Sequence, residues 1–323
     1  MSAVSGTQRP RIEPVIEVES LSKRYGETLA VEQVSFTAQP GRIFGLLGPN
    51  GAGKSTTIGC ISGLLAPSAG RVRVLGYDVQ REAREAKRSL GVVPQELALY
   101  DDLDARENLA YWGSLYGLRG ATLRARVDDV LEELGLADRA KERVAHFSGG
   151  MKRRLNFGCA VVHTPQALLL DEPTVGVDPQ SRVKLLELVK RRAAAGACVL
   201  YTTHYMEEAE DLCDELAIVD HGKVIAAGNL ATLRARLGER DVLLLAGTFV
   251  PELVRGALEP LGELEIVALD ASSLTLSVRD ASRRLASIFA CLSSAGCEVR
   301  ETSLRQPSLE SLFIALTGKE LRE

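Results

Sequence analysis

The chain has 323 residues, 46% of them hydrophobic and 25% charged, which suits a soluble globular protein of two domains on a guide of about 150 residues each. A formal net charge of −4 and only 5% aromatic residues argue against a basic, base-stacking surface, so no nucleic-acid partner is expected. The six Cys residues are scattered, with no C-x-x-C pair and no His at zinc spacing; this speaks against a disulfide framework or zinc site and for buried or half-buried free thiols.

Residues 1–14 are polar and proline-bearing and have no apolar stretch, which predicts a flexible tail rather than a secretory signal. No apolar run approaches the roughly 18–20 residues that cross a bilayer, so any membrane role requires another chain. "PVIEVESLSKRYGETLAVEQVSFTAQPGRIFGLLG" reads as two or three strands with tight turns, the last of them a short apolar run suited to a buried parallel strand.

"GPNGAGKST" follows, from Gly48 to Thr56, and leads into the helical pattern "KSTTIGCISGLL". It satisfies G-x-x-x-x-G-K-[ST]. Gly48, Gly51 and Gly53, with Asn50 and Ala52 among them, let backbone N–H groups wrap phosphates. Lys54 can reach the β- and γ-phosphates, Ser55 can put its hydroxyl on Mg²⁺, and Thr56 sits at the helix N-terminus facing the α- and β-phosphates.

From Ala105 to about Leu136 apolar residues recur every three or four positions, which predicts helices. "FSGGMKRRL", Phe147 to Leu155, has a capping Ser148 and two small residues, Gly149 and Gly150, ahead of a basic helical run. That layout is a second anion-binding helix start. From Gln166 strands and helices alternate, which argues for a doubly wound parallel sheet with residues 105–163 as a helical insertion. "ALLLDEP" ends a strand in two carboxylates. Asp171 suits a Mg²⁺ shell and Glu172 could polarise an attacking water, although alone the pair reads as a solvated acidic turn. His204 ends an apolar strand, where a satisfied core histidine is the ordinary reading. After "LATLRARLGER" the order β-α-β-β-α-β plus a final helix predicts a split-βαβ, ferredoxin-like domain.

Taken in order, Tyr25, "GPNGAGKST", Gln95 in "VPQE", "FSGGM", "LLLDEP", "VGVD" and His204 in "TTHYMEEAE" resemble the motif set of the ATP-binding subunit of an ABC transporter, over about residues 15–235. The resemblance implies an α/β P-loop NTPase of the ABC type, with a parallel sheet core, an antiparallel β subdomain and a helical insertion. The expected layout is a tail over 1–14, an ATP-binding domain over 15–238 and a small α+β accessory domain over 239–323. ATP and Mg²⁺ are the implied ligands. Tyr25 would stack on adenine, Gln95 would join Ser55 and Asp171 at the metal, and Glu172, His204 and Lys54 would be catalytic. Two copies would stack head to tail, with Ser148, Gly149, Gly150 and Met151 of one facing the nucleotide held by the other. Asp178 would touch the opposing copy, or else serve as a plain cap before Pro179. Phe147 and Met151 depart from the commoner "LSGGQ", and Met151 leaves the contact of the usual Gln without an assigned replacement.

"VPQELALYDDLDARENLAYWGSLYGL" and the ending "SLESLFIALTGKELRE" are similar to bacterial exporter ATPases of the drug-resistance and nodulation-factor groups. This implies a peripheral protein at the cytoplasmic face of the inner (cell) membrane, docked on a permease through the region from Gln95 to Trp112. Tyr111 and Trp112 would line that groove or simply pack the insertion. The other reading is a soluble ABC switch that regulates or assembles a non-transport partner.

Overall fold

The computed structural model describes residues 13–237, 240–305 and 308–318. The expected boundary at 238/239, most of the expected tail and the last five residues lie outside the described residues. The first sheet is antiparallel, ordered β2-β1-β4-β5 and built from β1 (Ile16–Tyr25), β2 (Thr28–Ala38), β4 (Ala69–Val74) and β5 (Tyr77–Asp78). Val18 and Leu21 of β1 are both buried although three residues apart. The register shift between them, with Ser20 at φ 47°, turns the strand so that the second apolar residue still faces inward.

A six-stranded sheet carries the phosphate loop. It is ordered β10-β9-β3-β8-β7-β6, from β3 (Ile43–Leu47), β6 (Leu90–Val93), β7 (Ala167–Asp171), β8 (Cys198–Thr203), β9 (Glu215–Asp220) and β10 (Lys223–Gly228). The β6–β7 and β7–β8 pairs are parallel. Every residue of β7 and β8 is buried, as a parallel strand covered on both faces requires, and β3 is buried throughout as well, which is why these segments read as largely apolar runs. Between β6 and β7 the chain forms the helical insertion: α3 (Ala105–Leu115), α4 (Gly120–Glu133) and α5 (Gly149–Val161) follow α1 (Lys54–Ile61) and α2 (Ala83–Arg88). α3 opens on a reciprocal cap in which Asp104 Oδ1 accepts from Glu107 N at 2.7 Å and Glu107 Oε2 from Asp104 N at 2.9 Å.

The remaining helices are α6 (Pro179–Ala194), α7 (Met206–Leu212), α8 (Leu230–Leu237), α9 (Pro251–Leu258), α10 (Ala281–Ser294) and α11 (Leu309–Thr317). The third sheet is antiparallel and ordered β12-β13-β11-β14, from β11 (Arg240–Thr248), β12 (Leu264–Leu269), β13 (Ser273–Arg279) and β14 (Glu298–Arg305). With α9 and α10 in its two crossovers, this is the ferredoxin-like order expected from the pattern. Leu243, Leu245, Leu276, Val254, Ile288 and Leu292 are part of its core.

By compactness the chain divides into two units, Met1–Gly45 with Lys54–Thr202, and Leu46–Gly53 with Thr203–Glu323. The division passes inside β3 and β8, because α7 and α8 pack with α11 in the second unit. Among the described residues no helix is long and apolar enough to cross a membrane. All six cysteines are free, four of them buried and two half-buried.

Candidate functional site

β3 ends at Leu47 and α1 begins at Lys54, so the intervening loop has the strand–turn–helix setting that phosphate loops need. A Cβ on Gly48 would lie 2.1 Å from the Val219 carbonyl oxygen, which leaves no room for any side chain. Gly53, at φ 98°, occupies the left-handed region. Gly51 stands open, with nothing within 4 Å of where its Cβ would be. The loop is braced by Ala52, whose N–H donates to the Pro49 carbonyl at 3.2 Å and whose carbonyl accepts from Gly222 N at 3.1 Å. Asn50 is exposed at the crest and Ala52 is buried.

In the first unit, Lys54 and Glu172 form a buried ion pair, Nζ to Oε1 2.8 Å. Asp171 is the last residue of β7, and its register partner on β8 is Thr202. The Thr202 hydroxyl donates to Asp171 Oδ1 at 2.7 Å and accepts the Glu172 N–H at 2.9 Å. Glu172 has φ 43°, a left-handed conformation that costs a non-glycine residue about 1–3 kcal/mol and persists only where its surroundings hold it. Thr202 and Lys54 supply two of those restraints. The sequence carries little signal for Thr202, one of two threonines that close "CVLYTT". Ser55 is exposed and Thr56 half-buried beside Lys54 on the first turn of α1.

The signature stretch lies elsewhere in the same unit. Ser148 caps α5, its Oγ accepting the Met151 N–H at 3.3 Å. The two glycines there differ. Gly149 has nothing within 4 Å of its Cβ position, whereas a Cβ on Gly150 would come 2.0 Å from Ser181 Oγ and 3.2 Å from Asp178 Oδ2. Gly149 is thus free to meet an incoming group, and Gly150 lets α5 lie against the start of α6. Asp178 caps α6 by accepting the Ser181 N–H at 2.9 Å, and this bond holds its carboxyl below the usual carboxylate range. Met151 is half-buried and contributes its backbone N–H to the cap.

Three residues of α5, Lys152 and Arg153 of the basic run and Asn156 just beyond it, bind the segment after β6. The Arg153 guanidinium donates to the Gln95 carbonyl at 2.5 Å and the Val175 carbonyl at 3.2 Å, and burial lowers its pKa. Asn156 Oδ1 accepts from Ala98 N at 3.0 Å, and Lys152 pairs with Asp101 at 2.8 Å. The Gln95 side chain is exposed just beyond β6. Next to it Val92, Pro94, Ala98, Trp112, Tyr116 and Asn156 are among the residues lining a cavity of about 190 Å³. Trp112 therefore lines this cavity. Tyr111 instead sets its ring edge-on to Tyr100 at 4.9 Å.

In the second unit His204 is half-buried, directly after β8, with its ring 4.1 Å from that of Tyr205. Thr203 Oγ1 donates to buried Glu208 at 2.9 Å and accepts the Tyr205 N–H at 2.9 Å, so the turn carrying His204 is tied at both sides. Tyr25 ends β1, is 46% exposed and has Lys23 Nζ 5.1 Å from its ring centre. The exposed face suits a flat apolar ligand ring. The structure therefore brings Lys54, Asp171 and Glu172 together, and Gly150 with Asp178. Among the described residues no cluster of three or more His, Cys, Asp or Glu side chains could hold a metal unaided. A hydroxyl, an amide and one carboxylate suit Mg²⁺, which takes few protein ligands and completes its shell with phosphate oxygens and water.

Residues 31–175 match the protein-family model described as ABC transporter. The chain is 42% identical over 311 residues to the linearmycin resistance ATP-binding protein LnrL of Bacillus subtilis (strain 168), covering 96% of this chain and 100% of that protein. It is 39% identical over 310 residues to the Nod factor export ATP-binding protein I of Ralstonia nicotianae, covering 96% of each. A solved structure described as the ATP binding subunit of an ABC transporter superposes with a TM-score of 0.64 at 36% identity, covering 69% of this chain and 93% of that one.

Proposed function

The chain belongs to the ABC transporter family of ATP-binding proteins and is an ATPase of that type, and from that premise we propose that it powers a bacterial exporter. In this reading it binds ATP with Mg²⁺, forms an ATP-bridged homodimer and drives a separate permease from the cytoplasmic face of the cell membrane. Residues 15–238 form the ATPase and 239–323 the accessory domain. The export assignment is supported by relatives named for drug resistance and Nod factor export, matched over nearly the full chain.

The observation that carries the chemistry is the buried Lys54–Glu172 pair, with Thr202 bonded to both Asp171 and the Glu172 backbone. Hydrolysis needs a carboxylate that can take a proton from water and a cation that can meet phosphate oxygens. Lys54 serves the phosphates when ATP enters and thereby releases the Glu172 carboxylate for the water. His204 holds that water and Glu172 in line. Mg²⁺ neutralises phosphate charge, and Ser55, Gln95 and Asp171 would hold it. Tyr25 receives the adenine ring. Ser148, open Gly149 and the positive end of α5 meet the γ-phosphate bound by the other copy. The cavity beside Trp112 supports docking of a permease segment at Gln95–Trp112.

Ser148→Arg tests the shared site. The monomer is expected to bind nucleotide normally, and ATP-dependent dimerisation, measured by light scattering in the Glu172→Gln background, is expected to be lost. Normal dimerisation would refute the head-to-tail arrangement.

A further inference from the structure

The short helix after His204 is fastened to the far end of the chain. α7 has only 7 residues, fewer than a helix needs to stand by itself, so its position depends on what it is tied to. At its start buried Glu208 is bonded to Thr203. Two residues on, Glu210 reaches the other way: its Oε1 accepts the Leu309 N–H at 3.1 Å, across 99 positions of sequence. Its Oε2 pairs with Arg234 of α8 at 3.1 Å.

Leu309 is the first residue of α11, and its N–H is one of those that no carbonyl of the helix itself can satisfy. A carboxylate there also complements the helix dipole. α11 is well anchored at its other contacts. Leu309, Leu312, Phe313 and Ile314 are at most 2% exposed. Ser308 and Ser311 cap each other reciprocally. The helix packs against β11, β12 and β13 and against α7 and α8. It therefore clasps the C-terminal sheet to the helix that follows His204, and Glu210 is a polar link in that clasp.

We propose that Glu210 is a positioning residue for ATP hydrolysis, through which α11 and the C-terminal domain fix the placement of His204. The proposal rests on the reading of His204 as the group that holds the attacking water. Cutting the Glu210 link removes a polar tie between α7 and α11, and the turn over residues 204 and 205 gains freedom. Displacement of a water-positioning group by a fraction of an ångström lowers turnover, while nucleotide binding through Tyr25 and the phosphate loop does not change.

The test uses the full-length chain, with steady-state ATPase kinetics on Glu210→Ala, Glu210→Gln, His204→Ala and the double variant His204→Ala/Glu210→Ala. For Glu210→Ala, kcat is expected to fall about five- to tenfold with KM for ATP within about twofold. Glu210→Gln retains a neutral acceptor for the Leu309 N–H and is expected to recover part of the loss; it also carries the test if the alanine variant folds poorly. In the His204→Ala background, Glu210→Ala is expected to add nothing, because it acts through His204. Unchanged kcat in both Glu210 variants overturns the proposal. So does an effect that multiplies fully with that of His204→Ala, since a merely structural loss would do so. If His204→Ala itself leaves turnover intact while the Glu210 variants lower it, the reading of His204 fails and the clasp acts by another route than the one proposed.

Discussion

Glu172→Gln separates binding from chemistry at the buried pair. Glu172 and Lys54 are 5% and 4% exposed and 2.8 Å apart. At an effective dielectric of about 20 their gross attraction is about 6 kcal/mol, most of it offset by the desolvation of both groups. Glutamine keeps the shape and an oxygen for Lys54 Nζ but removes the charge, at a cost of about 1–2 kcal/mol for exchanging a charge-assisted bond for a neutral one. ATP must draw Lys54 away from residue 172 to use it, so the substitution lowers the cost of that exchange. ATP affinity is expected to rise by up to about tenfold, since 1.4 kcal/mol is a factor of ten. Turnover is expected to fall at least about a hundredfold, or about 2.7 kcal/mol of barrier, because an amide cannot take the proton. Equilibrium binding of a fluorescent ATP analogue and phosphate release under single-turnover conditions measure the two effects separately. Unchanged turnover would remove Glu172 as the base. A marked fall in affinity would show that Lys54 does not change partners.

The two signature glycines are expected to respond oppositely. Gly150→Ala forces a methyl group against Ser181 and is expected to lower stability by about 1–3 kcal/mol, read as a fall in melting temperature. Gly149→Ala is expected to leave the melting temperature unchanged and to weaken ATP-dependent dimerisation; equal effects would refute the division of roles. Arg153→Met removes the links to the Gln95 and Val175 carbonyls and is expected to cost about 1.5–3 kcal/mol in denaturant titrations, and an unchanged midpoint would show that the bridge carries no weight. In the turn between β12 and β13, hydrogen bonds from Ser272 and Ser273 hold the Asp270 carboxyl at about 2. Because its folded value lies below the unfolded one of about 3.9, its stabilisation is complete above that value and is lost as pH falls through about 2. The stability gap between the native chain and Asp270→Ala should therefore be full at pH 6 and much narrower near pH 2; a gap independent of pH would refute the assignment.

What was legible in the sequence was what local chemistry dictates. A loop that wraps phosphates needs Gly48, Gly51, Gly53 and Lys54 within nine residues, and a buried parallel strand ending in acids needs "ALLLDEP"; each pattern is complete in one segment. The ferredoxin-like order was likewise legible, because alternating strand and helix periods leave few ways to connect them. Thr202 was not, since its importance comes from the β7–β8 register that sets it beside Asp171. Nor was the Glu210–Leu309 bond, whose partners are 99 residues apart. Gly149 and Gly150 are identical letters with different surroundings, and only the position of Ser181 distinguishes them. Arg153 was hidden in a basic run that fits an exposed helix face equally well.

Arg153 also bears on how a signal could leave the nucleotide. Ser148, which caps α5, and Arg153, which grips Gln95 and Val175, are five residues apart on one helix, about 8 Å along its axis. Asn156 and Lys152 bind Ala98 and Asp101 from the same helix. A helix with three ties to that segment has little freedom to shift at its N-terminal end without moving residues Gln95 to Asp101. That segment borders the cavity beside Trp112. If a permease docks there and Ser148 meets the γ-phosphate, the two contacts are parts of one rigid element, and transmission needs no longer pathway. Met151 fits this view: with its N–H committed to the cap, the backbone at that position serves the rigidity of α5 whatever the side chain. Met151→Gln is then expected to leave both stability and basal turnover within about twofold of the native chain, measured by thermal melting and steady-state ATPase assay. A large gain in turnover would show that the side chain at this position, and not the backbone cap alone, tunes the shared site.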